Sequence, residues 1–379
     1  MAKRFGLKVP ARISLLGNPA DANEVDYHTI SCAIEKFAAA FVQPAEKLTL
    51  EILEKQGPAY KLLQTVSLED SPPYEIGEDD DFSLVKAAMN KFYNTSAELR
   101  ERWGNPPLRI STCTEVPRQS GLGGSSLFVI LALAALREFY DLNRLEYNDY
   151  LLAELTQRTE ERELGITCGY ADRYVPLFGG LAYLDYRGKF FHKEIEEEPF
   201  VTYERLDQYV AGLPLVIAST GLRHKSGDVH SIMREKYLEE YNAFEANPKS
   251  EKPFMLEHFE RIGATAWRGK KALLKQDWKR FGELMNENHL LIDQVMEYCG
   301  IKGGAGQANN LLIQRARENG ALGAKLPGAG GGGSIFALVS PGSEPRMIDV
   351  LCQALEEVNL EQGCVFKCGI AHRGLVTIK

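Results

Sequence analysis

The chain has no CxxC cysteine pair, no apolar run of membrane length, no excess of positive charge, and no repeat or low-complexity tract. Each absence excludes a class. Seven scattered cysteines, an odd number, do not make a disulfide framework or a zinc cluster, and they fit reduced intracellular thiols. The longest apolar run, Leu127 to Leu136, is about half of what a bilayer crossing needs. The opening stretch MAKRFGLKVPARISLLG lacks the layout of a cleavable signal, so a cytoplasmic protein with no membrane partner is expected. With 44 Lys and Arg against 52 Asp and Glu, the net charge of −8 argues against nucleic acid as a partner.

What is present is the make-up of an ordinary globular protein: 379 residues, 44% hydrophobic and 25% charged, enough for two packed domains. The patterning predicts an α+β class. Strand-like pieces at 12–16, 37–42 and 47–53 flank a polar, irregular segment at 18–28. A short strand at 108–113, a Gly-rich turn and an apolar helix at 127–140 follow, then an amphipathic helix at 148–163. From about residue 200 the composition shifts to long charged helices, and the chain closes with a strand–helix–strand unit and a last strand at 374–378. The expected domains are 1–200 and 201–379.

Two glycine-rich segments carry the strongest chemical signal. Pro117-Arg118-Gln119-Ser120-Gly121-Leu122-Gly123-Gly124-Ser125-Ser126 joins a strand to a helix. Glycines there let successive backbone N–H groups point into one cavity at a helix N-terminus, which makes an anion cradle. It is no P-loop, because no Gly-Lys-Ser/Thr follows. The second segment, Lys325-Leu326-Pro327-Gly328-Ala329-Gly330-Gly331-Gly332-Gly333-Ser334, loses too much chain entropy on folding to be a plain connector, so close backbone approach to another group is expected. Two further segments present carboxylates at element ends: Pro10 to Asp21, and Glu160 to Arg173 with its Gly165 break and Asp172.

In this order, PARISLLGNPAD, PRQSGLGGSSL and KLPGAGGGGS resemble the three motifs of the galactokinase, homoserine kinase, mevalonate kinase and phosphomevalonate kinase (GHMP) superfamily. Within it the chain is most similar to the glucuronokinase group, through RISLLGNPAD, PRQSGLGGSS, ELGITCGYADRYVPLFGGLAYLD and SGDVHSIMREKY at 226–237. The resemblance implies a ribosomal protein S5 domain 2-like N-terminal domain and a ferredoxin-like α+β C-terminal domain. It implies an ATP- and Mg²⁺-dependent sugar 1-kinase that converts D-glucuronate to its 1-phosphate, acting as a monomer or homodimer.

Carried over residue by residue, the resemblance implies catalytic roles for Asp172, which takes or orients the proton of the attacking hydroxyl, and Arg12, which offsets transition-state charge. Pro117, Gly121, Leu122, Gly123, Gly124, Ser125 and Ser126 would form the ATP-phosphate site. Ser125 or its neighbour Ser126, with Glu161, would hold Mg²⁺. Substrate-binding candidates are Asp21, Asn18, His28, Arg118, Arg173, Gly328, Gly330 and Gly331. A uronate carboxylate needs a cation, for which Arg118, Arg173, Arg223 and Arg234, with His224 and Lys225, are candidates; His230 is a further polar group.

One departure bears on the sugar. ANEVDYH at 22–28 lacks the glycine-rich turn expected of plant glucuronokinases, and this loop borders the sugar site. Galacturonate, galactose, fucose or a heptose phosphate therefore stay open as substrates. A catalytically silent sugar- and ATP-binding sensor is the rival outside enzymes, and the combination of Asp172, Glu161 and Ser125 argues against it.

Overall fold

The computed structural model describes all residues except 1–3, 23–26, 70, 190–193, 211, 223–225, 250, 329–332 and 379. The fold is built around two long N-terminal strands, β1 (Phe5–Leu16) and β2 (His28–Pro44), paired antiparallel along almost their whole length. β1 is buried at nearly every position, because α3 and α5, introduced below, and two C-terminal helices all pack on it; it therefore reads as a continuous apolar run rather than an alternation. A hairpin follows, β3 (Leu48–Gln56) and β4 (Ala59–Leu68), then α1 (Ser83–Thr95), α2 (Ala97–Arg102) and β5 (Leu108–Thr114). β5 inserts between β2 and β3, antiparallel to the first and parallel to the second. Next come α3 (Gly124–Phe139), α4 (Asp149–Arg158), α5 (Ala171–Phe178), β6 (Leu181–Asp185) and β7 (Thr202–Arg205).

The C-terminal half contributes β8 (Leu215–Ser219), α6 (Ser226–Ala246), α7 (Phe254–Leu274), α8 (Trp278–Tyr298), α9 (Gln307–Glu318), β9 (Gly323–Lys325), β10 (Ser334–Leu338), α10 (Glu344–Glu357), β11 (Cys364–Cys368) and β12 (Val376–Ile378). Among the described residues two sheets result. The larger runs β12-β1-β2-β5-β3-β4, with β6 on the first half of β2 and β7 on β6; the smaller is antiparallel, β11-β8-β10-β9. This is the expected two-domain α+β fold. The halves are sewn together: β7 extends the N-terminal sheet past residue 200, and β12 returns to pair Val376 with Lys8 and Ile378 with Gly6. Phe281, Met285 and Phe336 share one apolar core with Ile13, Leu127 and Leu181.

Several elements differ from the patterning. The segment expected to be irregular through 28 is a 3₁₀ turn at Ala20–Ala22, and β2 already begins at His28. β4 gave no apolar alternation, because it is an edge strand exposed at nearly every position. Asp172, expected at an element end, does sit in the first turn of α5. The helix expected to run to 163 stops at Arg158, and Thr159–Glu163 forms a wider π-helical turn.

Candidate active site

The Gly-rich segment after β5 turns on residues with positive φ: Gln119 (53°), Gly121 (74°) and Gly123 (79°). Gly123 is the left-handed N-cap of α3, and a Cβ there would stand 3.4 Å from the Arg12 side chain. That distance is an ordinary van der Waals contact, so it is the left-handed backbone at φ 79° that favours glycine here. Arg12 accordingly gathers three segments. Its Nη1 donates to Gly121 O at 2.7 Å and Pro327 O at 3.1 Å, and its Nε donates to Asp172 Oδ1 at 2.5 Å. Gly328, just past Pro327, is packed so closely that a Cβ on it would lie 3.2 Å from Gly121 O.

Around this junction opens a cavity of about 1340 Å³, lined by Arg12, Asn18, Asp21, Gly121, Gly123, Gly124, Ser125, Glu160, Asp172 and Gly328, with Pro117 and Arg118 nearer the rim. Asp172 is held ionised: burial pushes its carboxyl up, but the charges of Arg12 and Arg173 and the Arg12 hydrogen bond outweigh that and bring it below its ordinary value. Asp21 behaves oppositely. Burial, then the nearby charge of Asp172, raises its carboxyl although Oδ2 accepts the Ala171 N–H at 3.0 Å. A Cβ at Gly169 would fall 2.2 Å from that same oxygen, so the CGYAD glycine is what admits the Asp21 carboxylate. Two carboxylates of unequal acidity, from opposite ends of the N-terminal half, thus meet beside one guanidinium.

The two serines separate cleanly. Ser125 is exposed to the cavity and Ser126 is buried, and both donate to Glu160, to Oε1 and Oε2 respectively, at 2.7 Å. Glu160, not Glu161, is therefore the carboxylate at the serines. Glu161 instead pairs with Arg234 at 2.5 Å and accepts the Cys168 N–H at 3.2 Å. The physical reason is the π turn at Thr159–Glu163. It turns Glu160 towards the serines and Glu161 towards Arg234, a division between adjacent glutamates that the resemblance behind the Glu161 expectation did not show, and such turns gather at functional sites.

Other expectations are redistributed. Leu122 lies in the core, its carbonyl accepting the Arg12 N–H at 3.2 Å, so it supports the loop without facing the cavity. Asn18 is nearly fully buried. Its Oδ1 accepts from Lys325 Nζ at 2.6 Å, and its Nδ2 donates to Gly328 O at 3.4 Å. Arg173 is buried against Glu160 and the Gly169 carbonyl, 3.8 Å from Asp172, and thus serves the carboxylates. His28 lies outside the cavity, stacked on Tyr183 with Asp185 3.5 Å away, because β2 starts there and carries its side chain to the β6 side. Arg118 stands exposed at the rim, 3.8 Å from Asp81. Gly330, Gly331, Arg223, His224 and Lys225 lie outside the described residues.

Two further parts of the cavity come from outside the glycine-rich and carboxylate segments; the resemblance had marked the second, at 226–237, but only the fold brings it to the cavity. Ile52, Leu53, Leu63, Ile76 and Phe82 give it an apolar end beneath the β3–β4 hairpin, and the first two turns of α6 bring Asp228, His230 and Ser231 to it from the C-terminal half.

The family models for the GHMP kinase N-terminal and C-terminal domains match residues 84–180 and 270–357. The chain belongs to the GHMP kinase family of small-molecule kinases. It is 30% identical over 353 residues to probable glucuronokinase 2 of Arabidopsis thaliana, covering 90% of this chain and 87% of that one. To glucuronokinase 1 of the same plant it is 28% identical over 369 residues, covering 94% and 92%. Among solved structures, Lactococcus lactis galactokinase complexed with galactose superimposes with a TM-score of 0.73 at 19% identity, over 99% of this chain and 95% of that one, a likeness of fold.

Proposed function

We propose that the chain is an ATP-dependent sugar kinase that phosphorylates the anomeric hydroxyl of D-glucuronate. The observation that carries this reading is the Arg12–Asp172 pair, set between the glycine loop after β5 and the Asp21 carboxylate. Phosphoryl transfer asks a protein chiefly for positioning and charge stabilisation. Asp172, ionised and tied to Arg12, takes the hydroxyl proton as the sugar oxygen bonds to the γ-phosphorus and the bond to the β–γ bridging oxygen breaks, so that ADP leaves. Arg12 spreads the charge that develops on the transferring group. Asp21 accepts hydrogen bonds from sugar hydroxyls.

The loop N–H groups and the start of α3 suit the phosphates, and the apolar end by Ile52 and Phe82 suits a nucleobase. Ser125 and Glu160 are hard oxygen donors 2.7 Å apart and fit Mg²⁺. Among the described residues no cluster of three or more His, Cys, Asp and Glu side chains could hold a metal alone, so the ion would share its shell with phosphate oxygens. An ion held by Ser125 and Glu160 would supply positive charge against the phosphates.

A second reading, a neutral sugar as acceptor, is favoured by one observation. Among the described residues, Arg12, Arg173 and Arg234, the guanidiniums near Asp172, are each engaged with a carboxylate of the protein, and the exposed Arg118 at the rim stands 3.8 Å from Asp81. ADP release with Mg-ATP across free uronates and neutral sugars tests both. Selectivity for glucuronate supports the first reading, selectivity for a neutral sugar the second, and silence across the panel with intact ATP binding contradicts both.

A further inference from the structure

Among the described residues, the first two turns of α6 and Gly328 are the parts of the cavity wall that the C-terminal half supplies. The first turn is seated closely: a Cβ on Gly227 would meet Ile166 Cγ2 at 3.2 Å, so the turn lies on the loop that leads to Asp172. One helical turn further on, Arg234 clasps the same region. Its Nε donates to Ala22 O at 2.6 Å, its Nη1 pairs with Glu161 at 2.5 Å and its Nη2 donates to Cys168 O at 3.0 Å. One side chain thus fixes α6 to the segments that carry Asp21 and Asp172. His230 lies four residues before Arg234, on the same helix face, and this places its imidazole at the cavity.

The ring faces a crowded electrostatic field that has no hydrogen bond to offer its Nδ1. Asp172, Arg12, Arg173 and Arg234 are its charged neighbours. Asp172 is bound to Arg12, Arg173 to Glu160 and Arg234 to Glu161. Among the described residues, Nδ1 is shut off from solvent and has no hydrogen-bond partner. A polar atom stranded in this way is costly, and a ligand that supplies the missing bond recovers that cost. Burial pushes the imidazole down to about 4, with Asp172 opposing and the three arginines assisting, so the ring is neutral at physiological pH. A neutral imidazole offers one donor and one acceptor, the pairing of a hydroxyl.

We infer that His230 is a specificity-determining contact for the acceptor, hydrogen-bonding a hydroxyl of a polyhydroxylated substrate adjacent to the hydroxyl that Asp172 deprotonates. The inference rests on the sugar-kinase reading. It assigns to α6, and so to the C-terminal half, a share in choosing the sugar, which neither glycine-rich loop supplies. Ser231 lines the cavity beside it.

The test is steady-state kinetics of the full chain and of His230→Ala and His230→Gln, with Mg-ATP and the best sugar of the panel. Loss of one ligand hydrogen bond raises the sugar KM of His230→Ala about tenfold, with the ATP KM within about twofold. His230→Gln, which keeps a donor and an acceptor, recovers part of the loss. Against the deoxy analogue that lacks the contacted hydroxyl, wild type and His230→Ala have similar KM. The inference is overturned if the sugar KM moves less than about twofold, if sugar and ATP KM rise together, or if kcat alone falls. Melting temperature and binding of a non-hydrolysable ATP analogue identify a misfolded variant, in which case His230→Gln decides. Wild-type silence on every sugar removes the kinase reading, and the inference with it, whereas wild-type turnover with an indifferent His230→Ala removes the inference alone.

Discussion

Ser125 donates its hydroxyl hydrogen to Glu160 at 2.7 Å, joining the start of α3 to the π turn that ends α4. The same carboxylate accepts from Ser126 and pairs with Arg173, so one buried side chain organises the floor under the glycine loop. Its neighbour in sequence has a different task, since Glu161 anchors α6 through Arg234.

Adjacent glutamates with separate tasks should be separable by mutation. Glu160→Gln lowers turnover by about tenfold or more and weakens the dependence on Mg²⁺. Glu161→Gln leaves the metal dependence in place and costs roughly 2 kcal/mol of stability, less than a fully buried pair because both partners are partly exposed. Mg²⁺ titrations and chemical denaturation of both variants check this; a metal defect in Glu161→Gln and none in Glu160→Gln would reverse the assignment.

Gly169→Ala places a methyl where the Asp21 carboxylate lies, 2.2 Å from Oδ2. Overpacking of this kind costs about 1–3 kcal/mol. If Asp21 contacts the sugar, the sugar KM rises while ATP binding holds, which isothermal titration with each ligand resolves. A variant with unchanged sugar affinity would detach Asp21 from the acceptor.

The two carboxylates also predict opposite pH behaviour. Asp172, lowered from 3.8, contributes stability that is present above that value and is lost as the pH falls through its depressed folded pKa. Asp21, raised from 3.8, has its favourable contribution below that value and loses it as the pH rises through its elevated folded pKa. Asp21→Asn is therefore expected to melt about 2 °C or more above wild type near neutral pH, with the gain shrinking towards about pH 4, even as sugar binding suffers. Melting curves across pH check the sign; a lower melting temperature at neutral pH would show that the carboxylate is stabilising.

Legibility in the sequence followed physical cause. The glycine loops could be read because only glycine tolerates the positive φ at 121 and 123 and the close approach at Gly328, so the backbone demand is written in residue type. β5 and the last residues of β1, 12–16, could be read as strands, whereas the first part of β1 was not. β4 could not, since an exposed edge strand carries no burial pattern. That Glu160 meets the serines while Glu161 meets Arg234 was hidden, because the resemblance did not separate two adjacent glutamates and the π turn leaves no compositional mark. Asp21 and Asp172 were legible as candidates, but their unequal acidity depends on burial and on the fold, which brings Arg12 to Asp172 across 160 positions. His28 misled because it borders a polar segment in sequence while β2 carries it out of the cavity.

The central claim is that Asp172, held by Arg12, receives the proton of an acceptor sugar hydroxyl. The most direct measurement is phosphorus NMR of the wild-type and Asp172→Asn reactions with Mg-ATP and glucuronate, alongside ATP-analogue binding by both proteins. The account predicts an anomeric sugar phosphate from wild type and a rate lower by roughly 10²–10⁴-fold in Asp172→Asn, with ATP binding little changed. An Asp172→Asn variant that forms the same product at a near-normal rate would contradict it.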